Sequence, residues 1–301
     1  MISFRYHLVS IVAVFFALAI GILVGTTVLP QVTIRQLRQQ TDSARTRADN
    51  LREELDRVEG ELTTSRQLTE SLEPIIIRDQ LLGRASVIVT AQGVDAAEIG
   101  GVRDALEQAG SVVQGILVFS DRMALAGPTD AQDLASVLGT SDLDPAALAE
   151  ATGAAVGTRL AEGAAPFQPD LLQDLVTGGF LAVQAQPDLT QIGGLDQTVV
   201  QLTGSADPPV FDPSPVFLPM LSTLVSAGMT SAAAEITDTA YPFVESVRSE
   251  SDLDGRLVTV DNADASAGRI SLVIALRDLI QTGRGGVYGT KPGSTSLLPP
   301  A

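Results

Sequence analysis

The sequence predicts a mixed α/β protein: a membrane-spanning helix, a long coiled-coil helix, then a doubly wound, mainly parallel α/β domain. Three observations predict it. The chain is uncharged from Leu8 to Leu29. A polar stretch free of Gly and Pro runs from Gln31 to Glu59. From Ala85 to Ile280, short apolar runs alternate with helix-like segments, the pattern of strands joined by crossover helices.

The first element is "HLVSIVAVFFALAIGILVGTTVLP". A signal peptide's apolar core is about 7–15 residues long and ends in a small-residue cleavage site. As a helix, Leu8–Leu29 covers about 33 Å, enough for a hydrocarbon core of about 30 Å. It ends at Pro30 without an Ala-x-Ala site and carries no polar stripe for a soluble core. The expectation is a retained anchor over residues 1–30, with the bilayer as its partner through Leu8–Leu29. Gly21 and Gly25 have the small-xxx-small spacing of helix contacts in membranes. A short leader ahead of a large domain favours a cytoplasmic N-terminus and an exported C-terminal domain, although Arg5 and His7 face Arg35 and Arg38 across the span. One helix suits a cell membrane better than an outer membrane.

Composition narrows the function. The net charge is −17, with 36 Asp plus Glu against 19 Lys plus Arg. Phosphate backbones repel such a chain, so nucleic acid is not an expected partner. Cys is absent, which removes disulfides, thiol nucleophiles and thiolate metal sites.

The second element, residues 31–73, carries a three-four repeat. Ile34, Leu37, Thr41, Ala44, Ala48, Leu51, Leu55, Val58, Leu62, Ser65, Thr69 and Leu72 fall on its a and d positions. Pro74 is expected to stop this helix, which at 1.5 Å per residue would reach roughly 60 Å. The seam is weak, since Thr, Ser and Ala supply little apolar area. In a parallel homodimer Arg47 would face Arg52 and Glu54 would face Glu59, both repulsive. Only Glu61 with Arg66 would attract. Within one helix, Arg45–Asp49 and Glu53–Arg57 are expected pairs. Arg47, Arg52, Glu54 and Glu59 are therefore the candidate partner-facing residues, for a different protein or for a second copy.

The third element, residues 74–282, opens with "ASVIVTAQG", "DAAEIGGVRDALEQAG" and "SVVQGILVFSD", a strand, helix and strand. Helices are expected at Asp130–Leu138, Pro145–Leu160, Pro169–Thr177, Val216–Ala227, Phe243–Arg248 and Ser266–Ile280. Strands are expected at "GFLAVQA", "TVVQL", "SAAAEIT" and "RLVTVD". "DPPVFDPSPVFLP" reads as a loop, and 283–301 as a flexible tail.

Open sheets of this type bind ligands beyond the carboxyl ends of their strands. The candidate loops are Thr90–Asp95, Ser120–Arg122 and Asp261–Asp264, with Thr90, Gly93, Asp95, Asp121, Asp261, Asn262 and Asp264 as candidate ligand residues. Gly93 stands without the G-x-G-x-x-G pattern, and no G-x-x-x-x-G-K-[ST] occurs. In "VDNADASAG" the Asp and Asn residues also suit helix caps and turns. His7 is the only His and lies at the membrane edge, so no Ser-His-Asp arrangement is available. No catalytic residue, cofactor site or metal site is assigned, and an enzyme is not expected.

"MISFRYHLVSIVAVFFALAIGILVG", "ASVIVTAQG", "VRDALEQAGSVV" and "VTVDNADASAGRISLVIALRDLI" together resemble the actinobacterial MctB family of copper transport proteins, related to SteB. The likeness spans almost the whole chain. It implies copper transport or copper homeostasis in the cell envelope. The related branch implies envelope maintenance and cell separation beside a SteA-like membrane partner. Copper as a ligand rests on the resemblance alone. Cu(I) favours Cys, Met or His, and the chain offers His7, Met1, Met123, Met220 and Met229. The residues themselves point to a non-catalytic scaffold or interaction protein, with copper transport as the alternative.

Overall fold

The computed structural model describes residues 4–27, 29–184, 188–204 and 210–300; side chains at 4, 27, 29–35 and 37 lie outside the description. The chain forms two compact units, Met1–Ser65 and Arg66–Ala301.

In the first unit, helix α1 (Phe4–Thr27) is uncharged and mostly apolar from Leu8 onward. Its described side chains from Arg5 to Thr26 are all exposed. It is the one helix among the described residues long and apolar enough to cross a membrane. Helix α2 (Leu29–Ile76) follows, with Pro74 inside it. The expected stop at Pro74 is thus two residues early. A proline in the last turn removes one N–H, yet the N–H of Ile77 still reaches the Glu73 carbonyl at 3.0 Å.

The intrahelical pairs also differ from expectation. Asp49 pairs with Arg52 at 3.3 Å, and Arg57 with Glu61 at 2.7 Å and Glu54 at 3.7 Å. Arg45–Asp49 places the cation N-terminal to the acid, the poorer order for an i,i+4 pair. Along α2, Leu51, Leu55, Val58 and Leu62 are exposed.

The second unit is built on strands β1 (Ala85–Ala91), β2 (Val112–Phe119), β3 (Leu181–Gln184), β4 (Gln197–Thr203), β5 (Thr230–Glu235), β6 (Val258–Val260) and β7 (Gly286–Tyr288). Their order is β3-β2-β1-β4-β5-β6-β7, parallel except β3, which runs against β2. The helices are α3 (Ala96–Gln108), α4 (Asp130–Leu138), α5 (Pro145–Glu162), α6 (Leu171–Thr177), α7 (Ser214–Ser226), α8 (Phe243–Ser249) and α9 (Ser266–Thr282).

Alternate strand residues serve opposite faces. Val87, Val89 and Val199 join the core made with α4 to α8, around Leu148, Leu160 and Phe217. Ile88, Val200 and Ala232 join the core made with α3 and α9, around Leu106 and Leu276. Both faces are covered, which explains why the strands read as continuously apolar. Phe217 stands edge-on to Phe119 at 5.7 Å and to Phe243 at 5.8 Å. Gly153 lets α5 lie against α7, because a Cβ there would sit 2.1 Å from the Val216 carbonyl oxygen.

Two further expectations need correction. Part of the expected Pro-rich loop is helix: α7 begins at Ser214 and carries Pro219 inside it. Pro215 occupies the first turn, where a missing N–H costs nothing. Residues 207–209 of that loop, and Ala185 of the expected "GFLAVQA" strand, lie outside the described residues. The expected flexible tail is also largely ordered. It supplies β7, a parallel bridge from Tyr288 to Ser296, and a carbonyl at Leu297 that accepts from Ser271 Oγ.

Candidate functional site

The carboxyl ends of the parallel strands gather the predicted loops. β1 leaves through Gln92 and Gly93, whose φ of +100° suits glycine. Asp95 then caps α3 by accepting from the Ala97 N–H at 2.8 Å. The Asp121 N–H donates to Gln92 Oε1 at 3.1 Å, so the first two loops touch. Beside them Ser120 Oγ donates to the Gly179 carbonyl at 2.7 Å. Arg122 holds Asp130 and Asp133 and lies over the Phe180 ring.

The third loop makes different contacts. Asp261 is fully buried. Its Oδ2 accepts from Arg248 Nη1 at 2.8 Å, and its Oδ1 from the N–H groups of Thr290 at 2.6 Å and Lys291 at 3.1 Å. Arg248 spends its other nitrogens on Thr259 Oγ1 and the Tyr288 carbonyl. Next to it the Glu235 carboxylate accepts from Lys291 Nζ at 2.8 Å and from the Val244 N–H at 2.9 Å. Asp264 accepts from the N–H and hydroxyl of Thr237, tying the β5 loop to the β6 loop. Two carboxylates and two cations thus clamp residues 288–291 over the sheet.

The expectation that "VDNADASAG" caps its helix is corrected here. The residue before α9 is Ala265, which gives no side-chain cap, and Asp261 and Asp264 are used for tertiary contacts instead. Thr90 and Asn262 are buried, and Thr90 Oγ1 and Asn262 Oδ1 have no hydrogen-bond partner among the described residues.

Strand order reverses between β1 and β4, where open sheets form their ligand crevice. Here that crevice, lined by Gln92, Gly204, Phe211 and Tyr241 among others, has a volume of about 10 Å³. That is room for about one water. A wider groove of about 380 Å³ lies to one side, between the start of α3 and the β2–β3 edge, lined by Gly93, Ile99, Arg103 and Gln184.

Electrostatics follow the same division. Burial pushes the Glu98 carboxyl up, and the charges of Asp264 and Asp95 add to this. Burial also opposes charge on Asp170. There, however, the Arg159 guanidinium at 2.7 Å and the Leu172 N–H outweigh it and hold the carboxyl below its ordinary range.

The soft donors are core residues. Met123, Met220 and Met229 are all buried in the cluster on the α7 face. No group of three or more His, Asp or Glu side chains is placed to hold a metal among the described residues. The stalk candidates Arg47, Arg52, Glu54 and Glu59 are all exposed on α2.

Sequence reasoning missed Glu235, Arg248, Lys291 and the pair of Glu73 with Arg269, whose atoms approach to 2.7 Å. A signal existed for two of them: Glu235 ends the otherwise small, apolar strand "SAAAE", and Lys291 is the chain's sole lysine. Their pairing spans a separation in sequence that no local pattern reveals.

Residues 1–299 match the family described as "Copper transport outer membrane protein, MctB". The proteins named "Copper transporter MctB" from Mycobacterium bovis and Mycobacterium tuberculosis are 28% identical over 316 residues, covering 99% of each chain. The protein of that name from Mycobacterium leprae is 26% identical over 320 residues, covering 100% of each. With the match running from α1 through the C-terminal clamp, the chain belongs to the MctB family.

Proposed function

We propose that this chain is a membrane-anchored, non-catalytic scaffold of the cell envelope that acts by contact, in envelope maintenance or cell separation. α1 tethers it with a cytoplasmic N-terminus, and the α/β unit stands on the exported side. The observation that carries this reading is the fate of the reactive side chains. Asp261 and Glu235, the buried carboxylates at the strand ends, are both occupied by the chain's own cations and N–H groups. Three of the four methionines fill the core, and the single His, His7, lies in the first turn of α1. General acid–base chemistry and soft-metal coordination both need such groups accessible.

Contact is made through α2. A parallel partner helix with acidic residues opposite Arg47 and Arg52, and basic ones opposite Glu54 and Glu59, complements its charges where a second copy would repel. Photocrosslinkers at positions 47 and 54 in living cells should join the chain to a different membrane protein, the SteA-like class being the first candidate. Crosslinks to itself alone would replace the heterotypic stalk with a homodimer.

A second reading is favoured by the relatives' printed name: the chain handles copper as cargo. Equilibrium dialysis of the detergent-solubilised full-length protein against Cu(I) and Cu(II) separates the two. The scaffold reading expects no stoichiometric tight binding. One equivalent of copper held firmly through dialysis would overturn it.

A further inference from the structure

Most cations of the second unit are spent on carboxylates. Arg122 holds Asp130 and Asp133, Arg159 holds Asp170, Arg248 holds Asp261, and Arg269 holds Glu73. In an acidic chain this is the expected fate of an arginine. Four others differ. Arg78, Arg84 and Arg284 have no ion-pair partner among the described residues, and Arg256 donates only to the carbonyls of Asp252 and Val225, at 3.2 and 3.1 Å. All four lie ahead of parallel strands. Arg84 directly precedes β1, with Arg78 in the segment leading to it; Arg256 lies two residues before β6 and Arg284 two before β7. Parallel pairing puts these strand starts at one end of the sheet, opposite the clamp.

That end contains a cavity of about 380 Å³ lined by Arg84, Arg256, Thr230, Gly228, Val225 and Ile280, among others, with no Asp or Glu in its lining. A second depression of about 210 Å³ shares Arg84 and Ile280, and its lining also includes Asp79 and Arg277. The first is therefore the more cationic of the two. Arginine's planar fork presents paired N–H donors that match phosphate oxygens. Arg256 is already oriented by two backbone carbonyls, so little side-chain freedom remains to be lost on binding.

We propose that the amino-terminal end of the sheet is a binding site for a phosphate-bearing anion, held between Arg84 and Arg256 and attracted by Arg78 and Arg284. Thr230 brings a hydroxyl to the same cavity. The competing role for these arginines is purely structural, offsetting the carbonyl ends of α7 and α9 that also face this end. Anion binding distinguishes the two roles, because a cap needs no ligand.

The test uses the full-length protein in phosphatidylcholine nanodiscs, titrated calorimetrically with pyrophosphate at low salt. Parallel samples measure retention by phosphatidylglycerol vesicles. The proposal expects saturable binding of pyrophosphate, of the vesicles, or of both, and weakening with added NaCl. Arg84→Ala should reduce affinity at least fivefold, Arg84→Lys less so, and Arg103→Ala, where Asp104 is already paired, not at all. Binding of pyrophosphate identifies a free phosphate ligand, and binding of vesicles alone a lipid headgroup. No saturable binding of either probe, or unchanged affinity in both Arg84 variants, overturns the site.

Discussion

At the carboxyl end of the sheet Arg248 meets Asp261, Thr259 and the Tyr288 carbonyl, whereas at the amino end Arg84 and Arg284 meet no carboxylate among the described residues. The same side chain has two uses. Where strands end and the C-terminal segment crosses them, charges are buried and must be matched within the chain. Where strands begin, the guanidinium groups stand at the surface, and hydration satisfies them without partners. Arginines at the first end hold the fold, and those at the second are available to something else.

The largest effect expected from testing this contrast is at Asp261. Asp261→Ala leaves Arg248 buried without its carboxylate, and removing one partner of a buried pair costs about 3–5 kcal/mol. Urea unfolding of the full-length protein in detergent measures it. A loss below ~1 kcal/mol would mean that the clamp is hydrated and that the two ends do not differ. Lys291→Met comes next. It leaves Glu235 Oε1 without its cation, at a cost of about 1–3 kcal/mol. Retention of wild-type stability would show that the C-terminal strap is not held by this contact.

The third prediction concerns acid. The Asp170 carboxyl titrates below its ordinary value of 3.8 in the folded chain. Its contribution is therefore complete above the unfolded value and is lost as pH falls through the lower folded one. Asp170→Asn should be less stable near neutrality and should flatten that part of the acid unfolding curve. An unaltered curve would remove Arg159–Asp170 from the stabilising set. The smallest effect belongs to the amino end: Arg84→Ala and Arg284→Ala should each change stability by no more than ~0.5 kcal/mol, as exposed substitutions usually do. A larger loss from either would make that end structural, like its opposite.

Much of the fold was legible because it is written locally. The uncharged run from Leu8 marks α1, and within "DAAEIGGVRDALEQAG" the helical spacing of Ile99, Val102, Ala105 and Leu106 coincides with the buried face of α3. The apolar run of Val87 to Val89 predicted a strand covered on both sides. Asp95 was legible as part of a loop at a strand's carboxyl end, and the structure shows it capping α3. β7 was not legible. "GVY" is too short and too rich in glycine around it to signal a strand, and it exists because β6 offers it an edge. Asp261 was picked out as a candidate, but its partners were not. Arg248, Thr290 and Lys291 come from separate segments that approach only once the sheet has formed.

By itself, then, the sequence determined an apolar helix, a long polar helix and a parallel sheet covered on both faces, since each follows from periodicity and side-chain type within short windows. Only the tertiary structure decided which charges neutralise one another and which remain at the surface. Ion pairs such as Glu73 with Arg269 depend on distances between residues far apart in the chain, and those distances are set by how helices and strands stack.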